Sequence, residues 1–454
     1  MGEAIEAPAP RRQLNEMQGF STARSTAGAV SARSAALDLI GAVLRQRHPL
    51  DEAIEEHNGL GELPARDRAF ARLLVATVLR RLGQIDAMIA HCLEKPLPPR
   101  AAATQDLLRM GLAQLLFLRT PPHAAVATTV DLAEARGFLS YKGLVNAVLR
   151  RLSQEGAALM AAQDETRVNV PPWLWRNWCE AYGEADTHAI ALAHLHEAPL
   201  DITVRGDPEI WRERLDAILL PTGTLRRQGG GAIANLPGYH EAAWWVQDAA
   251  AALPAKLLGN ITGEVVVDLC AAPGGKTAQL AASGAHVIAL DRSPRRVERL
   301  NANLTRLKLG AETHVADAIQ WRPERPVSFI LLDAPCTATG AIRRHPDVPH
   351  LKTQDDVIRL AGVQERLLAA AIEMLAPGGT LVYCTCSLEP QEGKMQIERL
   401  LARGAPVRRV PVQAEEIGGL RECVSAEGDL RTLPCHLADK EGIDGFFAAR
   451  LRRQ

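Results

Sequence analysis

Three residues stand out by type and spacing. Asp333 and Cys336 share the short stretch Asp333-Ala334-Pro335-Cys336, and Cys386 ends the stretch Cys384-Thr385-Cys386. Each stretch follows a bulky apolar run, Phe329-Ile330-Leu331-Leu332 and Leu381-Val382-Tyr383, that reads as a buried strand. An ionised thiol is a strong nucleophile, and a carboxylate or second thiol beside it can hold or move a proton. The residues therefore fit covalent catalysis by sulfur, and their types alone leave open whether Cys336 or Cys386 attacks. A free thiol titrates near pH ~8.5, so a cation should stand close. Arg343, Arg344 and Lys276 are candidates, and the sequence does not choose among them. Cys92, Cys179, Cys423 and Cys435 read as small buried hydrophobes. Cys384 alternates away from the rim and reads as structural. Cys384-x-Cys386 with His436 matches no common zinc spacing, so no metal is expected.

A second group of residues surrounds a ligand site. Asp268, Asp291, Asp317 and Asp333 each end or follow a strand candidate. One such Asp is usually a turn former, but four on successive strands suit a ligand with several donors. Asp291 follows Asp268 by 23 residues, near the spacing at which a second-strand acid reaches a ribose. An adenosine-bearing cofactor fits. The first turn reads Asp268-Leu269-Cys270-Ala271-Ala272-Pro273-Gly274-Gly275-Lys276-Thr277. Its small residues let backbone approach a ligand. It lacks the spaced glycines of a dinucleotide fingerprint, and Cys270 stands where a phosphate loop needs glycine. Lys276 is either a surface helix residue or a contact for cofactor or RNA.

These residues need a parallel sheet to position them. Short runs at Val265–Val267, Val287-Ile288, Val315, 329–332 and 381–383 alternate with helical stretches at 276–283, 294–308 and 354–375. That alternation predicts a mainly parallel sheet covered by helices. Upstream, residues 29–156 read as an all-α bundle: Leu37, Ile40 and Leu44 share a face, as do Leu144, Val145, Val148, Leu149 and Leu152. Helices are also expected at 66–82 and 104–118. Between the bundle and the sheet, 165–240 reads as a small α/β unit, with Trp173, Trp175 and Trp178 on one helix, a strand at 200–204, a helix over 209–219 and a turn at Gly229–Gly231. The catalytic unit then spans 241–454.

The 454 residues exceed one ordinary core, so several domains are expected. Lys and Arg number 52 against 53 Asp and Glu, a net charge of −1, so any basic surface must be local. Arginine pairs such as Arg80-Arg81 and Arg150-Arg151 read as solvated faces. Residues 1–28 lack an apolar block and read as a disordered leader rather than an export signal. The best apolar run, Leu107 to Leu118, holds Arg109 and Gln114 and is too short for a membrane span. Reduced thiols in a cytoplasmic, monomeric protein are the expectation, with no membrane and no DNA as partner.

Taken together, DLCAAPGGKT at 268–277, DAPCTATG at 333–340 and YCTCS at 383–387 resemble the RNA cytosine-C5 methyltransferase family. Gln247-Asp248-Ala249 and Asp444-Gly445-Phe446-Phe447 are similar to further motifs of that family. Pro122-His123-Ala124 and Gly143 to Arg150 resemble the NusB-type helical domain that its bacterial 16S rRNA members carry. The resemblance runs from about residue 30 to the C-terminus. Three positions depart from the family pattern: Gly393 replaces a common Asn, Ala242 a common Gly, and Thr203 an Arg.

The resemblance implies a NusB-like bundle, a ferredoxin- or RRM-like middle domain and a Rossmann-like class I methyltransferase domain. It implies S-adenosylmethionine as cofactor, held by Cys270, Ala271, Ala272, Pro273, Gly274, Gly275, Lys276, Asp291, Asp317 and Asp333. It also implies Cys386 as the nucleophile that adds to C6 of a cytosine, Cys336 as the thiol that helps release product, and Asp333 as a contact for cofactor and base. Asp291 would hold the ribose and Asp317 would lie near the adenine. The expected substrate is a loop or single-stranded cytosine of 16S rRNA, because a stacked base cannot reach a thiol. A tRNA substrate, or a non-catalytic NusB-like RNA-binding factor, is the alternative. The loop after Cys336, with Arg343, Arg344 and His345, suggests a phosphate clamp.

Overall fold

The computed structural model describes residues 31–227 and 231–454. The expected leader, 1–28, lies outside the described residues, as do Gly229 and Gly230 of the expected turn. The N-terminal unit packs helices Ala32–Leu44, Leu50–Glu56, Ala65–Arg80, Leu82–Cys92, Ala102–Leu112, Pro122–Ala135 and Lys142–Ala161. Each buries an apolar stripe in one shared core: Leu37 and Ile40 from the first, Leu74, Val75 and Val78 from the third, Val148 and Leu152 from the last. Ser31 caps the first helix by accepting from the Ser34 N–H at 3.1 Å. Pro122 opens another at its first turn, where a missing N–H costs nothing. The helix expected over 104–118 ends at Leu112 and widens into a π-helical turn, Ala113–Phe117.

Residues 165–240 do not form one unit. The helical segment Pro172–His194, broken at Gly183 (φ 83, ψ 169), leaves the small domain and packs Leu174, Trp178 and Ile190 against Ile342, Leu388 and Leu433 of the catalytic unit. Strands β1 (Leu200–Val204), β2 (Ala217–Leu219), β3 (Leu225–Arg227) and β4 (Trp244–Val246) form an antiparallel sheet in the order β2-β3-β1-β4. This is the strand order of a ferredoxin-like sheet. Only one proper helix, Pro208–Arg214, accompanies it among the described residues; a short 3-10 turn at Ile233–Asn235 stands where a second would be. The helix expected over 209–219 stops at Arg214, and Ala217–Leu219 becomes a strand whose register with Leu225–Arg227 is set by the turn between them. The sheet's fourth strand lies beyond residue 240, because fully buried Trp244 fills the small core beside Ile202 and Leu225.

The catalytic unit is built on β5 (Val265–Leu269), β6 (His286–Asp291), β7 (Glu312–Val315), β8 (Val327–Asp333), β9 (Leu375–Thr385), β10 (Val407–Arg409), β11 (Leu430–Thr432) and β12 (Phe446–Arg453). The order is β10-β12-β9-β8-β5-β6-β7, with β11 also paired to β12. Neighbours from β9 to β7 are parallel, whereas β12 runs antiparallel to β9. Helices Gly275–Ala282, Pro294–Leu307 and Gln354–Met374 cover its faces. Val266, Leu331 and Val382 enter one core; Val267, Ile330 and Leu381 enter the other. Strands buried on both sides explain the near-continuous apolar runs in the sequence. Among the described residues no helix is long and apolar enough to cross a membrane.

Candidate active site

Strand order places the chemistry in one row. Reading β9, β8, β5, β6, β7 along their carboxyl ends gives Cys386, then Asp333 and Cys336, then the 268–276 turn, then Asp291, then Asp317. Strands lie about 4.8 Å apart, so the row extends about 19 Å, enough for a nucleotide-like cofactor and a base side by side. The registers keep the row level: Asp333 pairs with Cys384, Leu269 with Leu332, and Asp291 with Val315.

At one end the two sulfurs meet. Cys336 Sγ lies 3.5 Å from Cys386 Sγ, and both residues are partly exposed. The hydrogen bond to Cys386 and burial push the Cys336 thiol well above its usual range, so Cys336 is held protonated. Asp333 is gripped by Lys276, whose Nζ donates to Oδ2 at 2.7 Å while sitting 4.7 Å above the Phe446 ring. Burial opposes the Lys276 charge, but Asp333 outweighs it and raises its pKa. Lys276 is therefore a buried member of the site and not a surface helix residue. Cys384 does not turn away from the rim: its Sγ lies 3.5 Å from Asp333 Oδ1.

In the middle, the 268–276 turn is tightly shaped. Cys270 and Gly274 have left-handed backbones, at φ 64 and φ 102, and the Ala272-Pro273 peptide is cis. A Cβ on Gly274 would lie 2.3 Å from Leu300 Cδ1, so only glycine fits. Arg296 Nη2 donates to the Ala272 carbonyl, and Asn303 Nδ2 to that of Pro273 at 2.9 Å. Asp268 is wholly buried, and burial pushes its carboxyl to about 7 despite a 2.6 Å bond from Thr277 Oγ1. Its other oxygen, Oδ1, has no hydrogen-bond partner. Asp291 accepts from the Ser293 N–H at 3.0 Å and lies 3.2 Å from Arg296 Nη1. Asp317 is exposed beyond β7, and its turn is tied to the Asp291 carbonyl by the Ala316 N–H at 3.1 Å.

The loop after Cys336 serves differently from the expected phosphate clamp. The Arg343 side chain is buried, 1% exposed, at the junction of the three units, where its carbonyl accepts from Arg80 Nη2 at 2.7 Å. Arg344 Nε donates to Asp444 at 2.6 Å, and His345 pairs with Asp51 at 3.3 Å. Asp347 accepts from the Leu50 N–H at 2.9 Å. From the other flank, Arg295 reaches Glu55 and Glu56 at 3.0 and 2.8 Å. Helix Leu50–Glu56 of the bundle thus bridges the loop after β8 and the helix after β6. His436, weighed as a zinc ligand with Cys384 and Cys386, instead lies 3.2 Å from Cys423 Sγ.

Sequence reasoning gave no role to three buried carboxylates, of which only Asp444 stood in a quoted motif. Glu389 accepts from Trp178 Nε1 at 3.0 Å and Asn177 Nδ2 at 2.7 Å. Glu392 bonds to both cysteine turns. Asp444 joins two family motifs, its N–H donating to Asp248 at 3.3 Å. Glu389 and Glu392 follow the Cys386 turn within a few residues, and this nearness was the signal available.

The family model described as 16S rRNA methyltransferase RsmB/F matches residues 255–452, and the NusB family model matches 30–154. The ribosomal RNA small subunit methyltransferase B of Vibrio cholerae is 35% identical over 444 residues, spanning 94% of this chain and 98% of that protein. The chain belongs to the RsmB/F family of 16S rRNA methyltransferases. The Pseudomonas putida protein of the same description is 36% identical over 439 residues, 92% of this chain and 98% of its own length. The crystal structure of PH0851 shares the fold, with a TM-score of 0.73, 22% identity and coverage of 93% and 98%. As in other RsmB/F methyltransferases, the cofactor is S-adenosylmethionine. The rim fits it: the unpartnered Asp268 Oδ1 and the carboxylates of Asp291 and Asp333 suit a ligand bearing ammonium and hydroxyl donors.

Proposed function

We propose that this protein methylates carbon 5 of a cytosine in 16S rRNA, with Cys386 as covalent nucleophile. The reading is carried by one observation: two thiols from neighbouring turns stand 3.5 Å apart beside a lysine-held aspartate. Cytosine C5 is a poor nucleophile. Addition of the Cys386 thiolate to C6 forms an S–C6 bond and moves electron density to C5. S-adenosylmethionine, when bound, supplies an electrophilic methyl group. After C5 has gained the methyl, a water molecule takes the C5 proton, the S–C6 bond breaks with Cys386 leaving as a thiolate, and the ring regains its conjugation. Cys336 lies where it can exchange a proton with the departing sulfur. Asp333 would accept from the cytosine amino edge, and Lys276, bonded to it at 2.7 Å, would fix its charge and direction. Cys270, Ala271, Ala272, Pro273, Gly274 and Gly275 would form the backbone wall of the cofactor cleft, with Asp291 at the ribose and Asp317 toward the adenine.

The expected substrate cytosine is unpaired, because a base stacked in a duplex cannot bring its C6 to a thiol. The NusB-like bundle, docked on the loop after Cys336, is the candidate RNA-binding unit. Incubation with 16S rRNA transcript and S-adenosylmethionine, followed by nucleoside mass spectrometry and bisulfite sequencing, tests the proposal. One 5-methylcytidine per 16S molecule is the expected result. Methyl groups on another base atom, or on tRNA but not 16S rRNA, would contradict it.

A further inference from the structure

A carboxylate that this mechanism does not use lies between the two cysteine turns. Glu392 is 0% exposed. Its oxygens accept from the Thr337 N–H at 3.0 Å, Gln364 Nε2 at 3.1 Å, Ser387 Oγ at 2.6 Å and the Thr337 hydroxyl. Burial raises the Glu392 carboxyl above its ordinary 4.5, and these four donors, which favour the ionised form, work against that rise. Thr337 is the residue after Cys336 and Ser387 the residue after Cys386, so one side chain grips both turns. The grip is braced from two sides. The Glu392 carbonyl accepts from the Tyr383 hydroxyl at 2.6 Å, and Gln364 Nε2 also donates to the Pro335 carbonyl at 2.9 Å.

The charges around the sulfur pair are asymmetric. Glu392 acts on Cys336 and helps hold its thiol up, after the Cys386 hydrogen bond and burial. Lys276 and Arg344 are each paired with a carboxylate of their own, Asp333 at 2.7 Å and Asp444 at 2.6 Å. Tyr383 also faces Cys336, and burial pushes its hydroxyl far above the ordinary range, so it stays neutral. Asp333, three residues before Cys336, has its charge taken up by Lys276 at 2.7 Å. Glu392 is therefore the carboxylate beside the Cys336 turn that no cation pairs among the bonds it makes.

We propose that Glu392 is a positioning residue: it holds the Cys336 and Cys386 turns at a fixed separation, and its charge, next to the Cys336 turn, keeps the shared proton on Cys336. This rests on Cys386 being the attacking sulfur, as argued above. The charge would settle which of two adjacent thiols adds to the base and which waits to return a proton.

Glu392→Gln keeps the shape and removes the charge. Thr337→Val keeps the charge and removes a hydroxyl from the grip. Residue-resolved alkylation by iodoacetamide is followed by mass spectrometry between about pH 6 and 10 in the absence of RNA. In Glu392→Gln, Cys336 alkylation near neutral pH should rise about tenfold, and kcat should fall about tenfold with KM for RNA little changed. In Thr337→Val, kcat should fall while Cys336 alkylation stays at the wild-type rate. Calorimetric affinity for S-adenosylmethionine should be unchanged in both, since neither residue lines the cofactor rim. Unchanged Cys336 alkylation in Glu392→Gln would overturn the electrostatic half, and unchanged kcat in Thr337→Val the positional half. Loss of cofactor binding in Glu392→Gln would make the residue a general support of the fold and overturn the proposal. Alkylation is read without substrate, so its outcome is separable from whether Cys386 attacks cytosine.

Discussion

Replacing Lys276 with methionine tests how the site holds its central carboxylate. The Lys276–Asp333 pair is 2.7 Å long, with side chains 10% and 32% exposed. Removing one partner of a fully buried pair costs about 3–5 kcal/mol, chiefly by leaving the other charge without compensation. Asp333 is about a third exposed, so water recovers part of that loss and about 2 kcal/mol is the expected penalty. If the ground state with ionised Asp333 is the reactive one, kcat/KM should fall about 30-fold. Lys276 also lowers the carboxyl of Asp268, which burial has already pushed to about 7. Its loss should therefore move the acid limb of the pH–rate profile to higher pH. Transfer of tritium from methyl-labelled S-adenosylmethionine to 16S rRNA measures both effects. Lys276→Arg, which keeps a charge, should retain most activity. A methionine variant within about threefold of wild type, with an unmoved acid limb, would refute the role given to this pair.

Gly274→Ala should cost about 2 kcal/mol in urea unfolding and weaken cofactor binding, because φ is 102 and the new Cβ would overlap Leu300. Unchanged stability would show that the turn relaxes freely. Burial raises Glu389 from an ordinary 4.5 to about 7, so the folded state keeps a proton that the unfolded chain has lost. Stability should therefore fall as pH rises through that window. Glu389→Gln should flatten the fall by about 1–3 kcal/mol in melting or denaturant curves, and a slope like that of wild type would contradict the assignment. Arg226 and Asp201 form a doubly bonded pair, 2.7 Å on each arm and almost wholly buried, and Arg226 Nη1 also reaches the Gly442 carbonyl at 2.5 Å. Arg226→Met should destabilise by about 3–5 kcal/mol, with partial recovery in Arg226→Met/Asp201→Leu; a single-variant loss below about 1 kcal/mol would remove this pair as the tie between the small sheet and the catalytic unit.

The parts of the fold that depend on local pattern were legible in the sequence. Buried parallel strands announce themselves as short apolar runs, and β5, β6, β8 and β9 lie where those runs stand. Asp268, Asp291, Asp317 and Asp333 could be placed on one edge because each ends or follows such a run. What the sequence hid depends on contacts between distant segments. Trp178 lies on a helix that periodicity assigns to the middle region, yet its buried ring and its bond to Glu389 place it against the catalytic unit. Ala217–Leu219 reads as a helix because its residues suit either state, and pairing with β3 decides. Arg343 and Arg344 look like solvent-facing cations in a list of residues, but Arg343 is buried beneath the docked bundle and Arg344 pairs with Asp444. Ala242, where the family favours glycine, has a φ of 64, so that preference has a backbone cause.

The central claim is that Cys386, and not Cys336, forms the bond to the base. Cys336→Ala and Cys386→Ala proteins, each incubated with 16S rRNA and S-adenosylmethionine and run on a denaturing gel, test it most directly. The account predicts a retarded protein–RNA band for Cys336→Ala, with mass spectrometry locating the linked nucleotide on Cys386, and no band or product for Cys386→Ala. A linked nucleotide on Cys336 in the Cys386→Ala protein would contradict it.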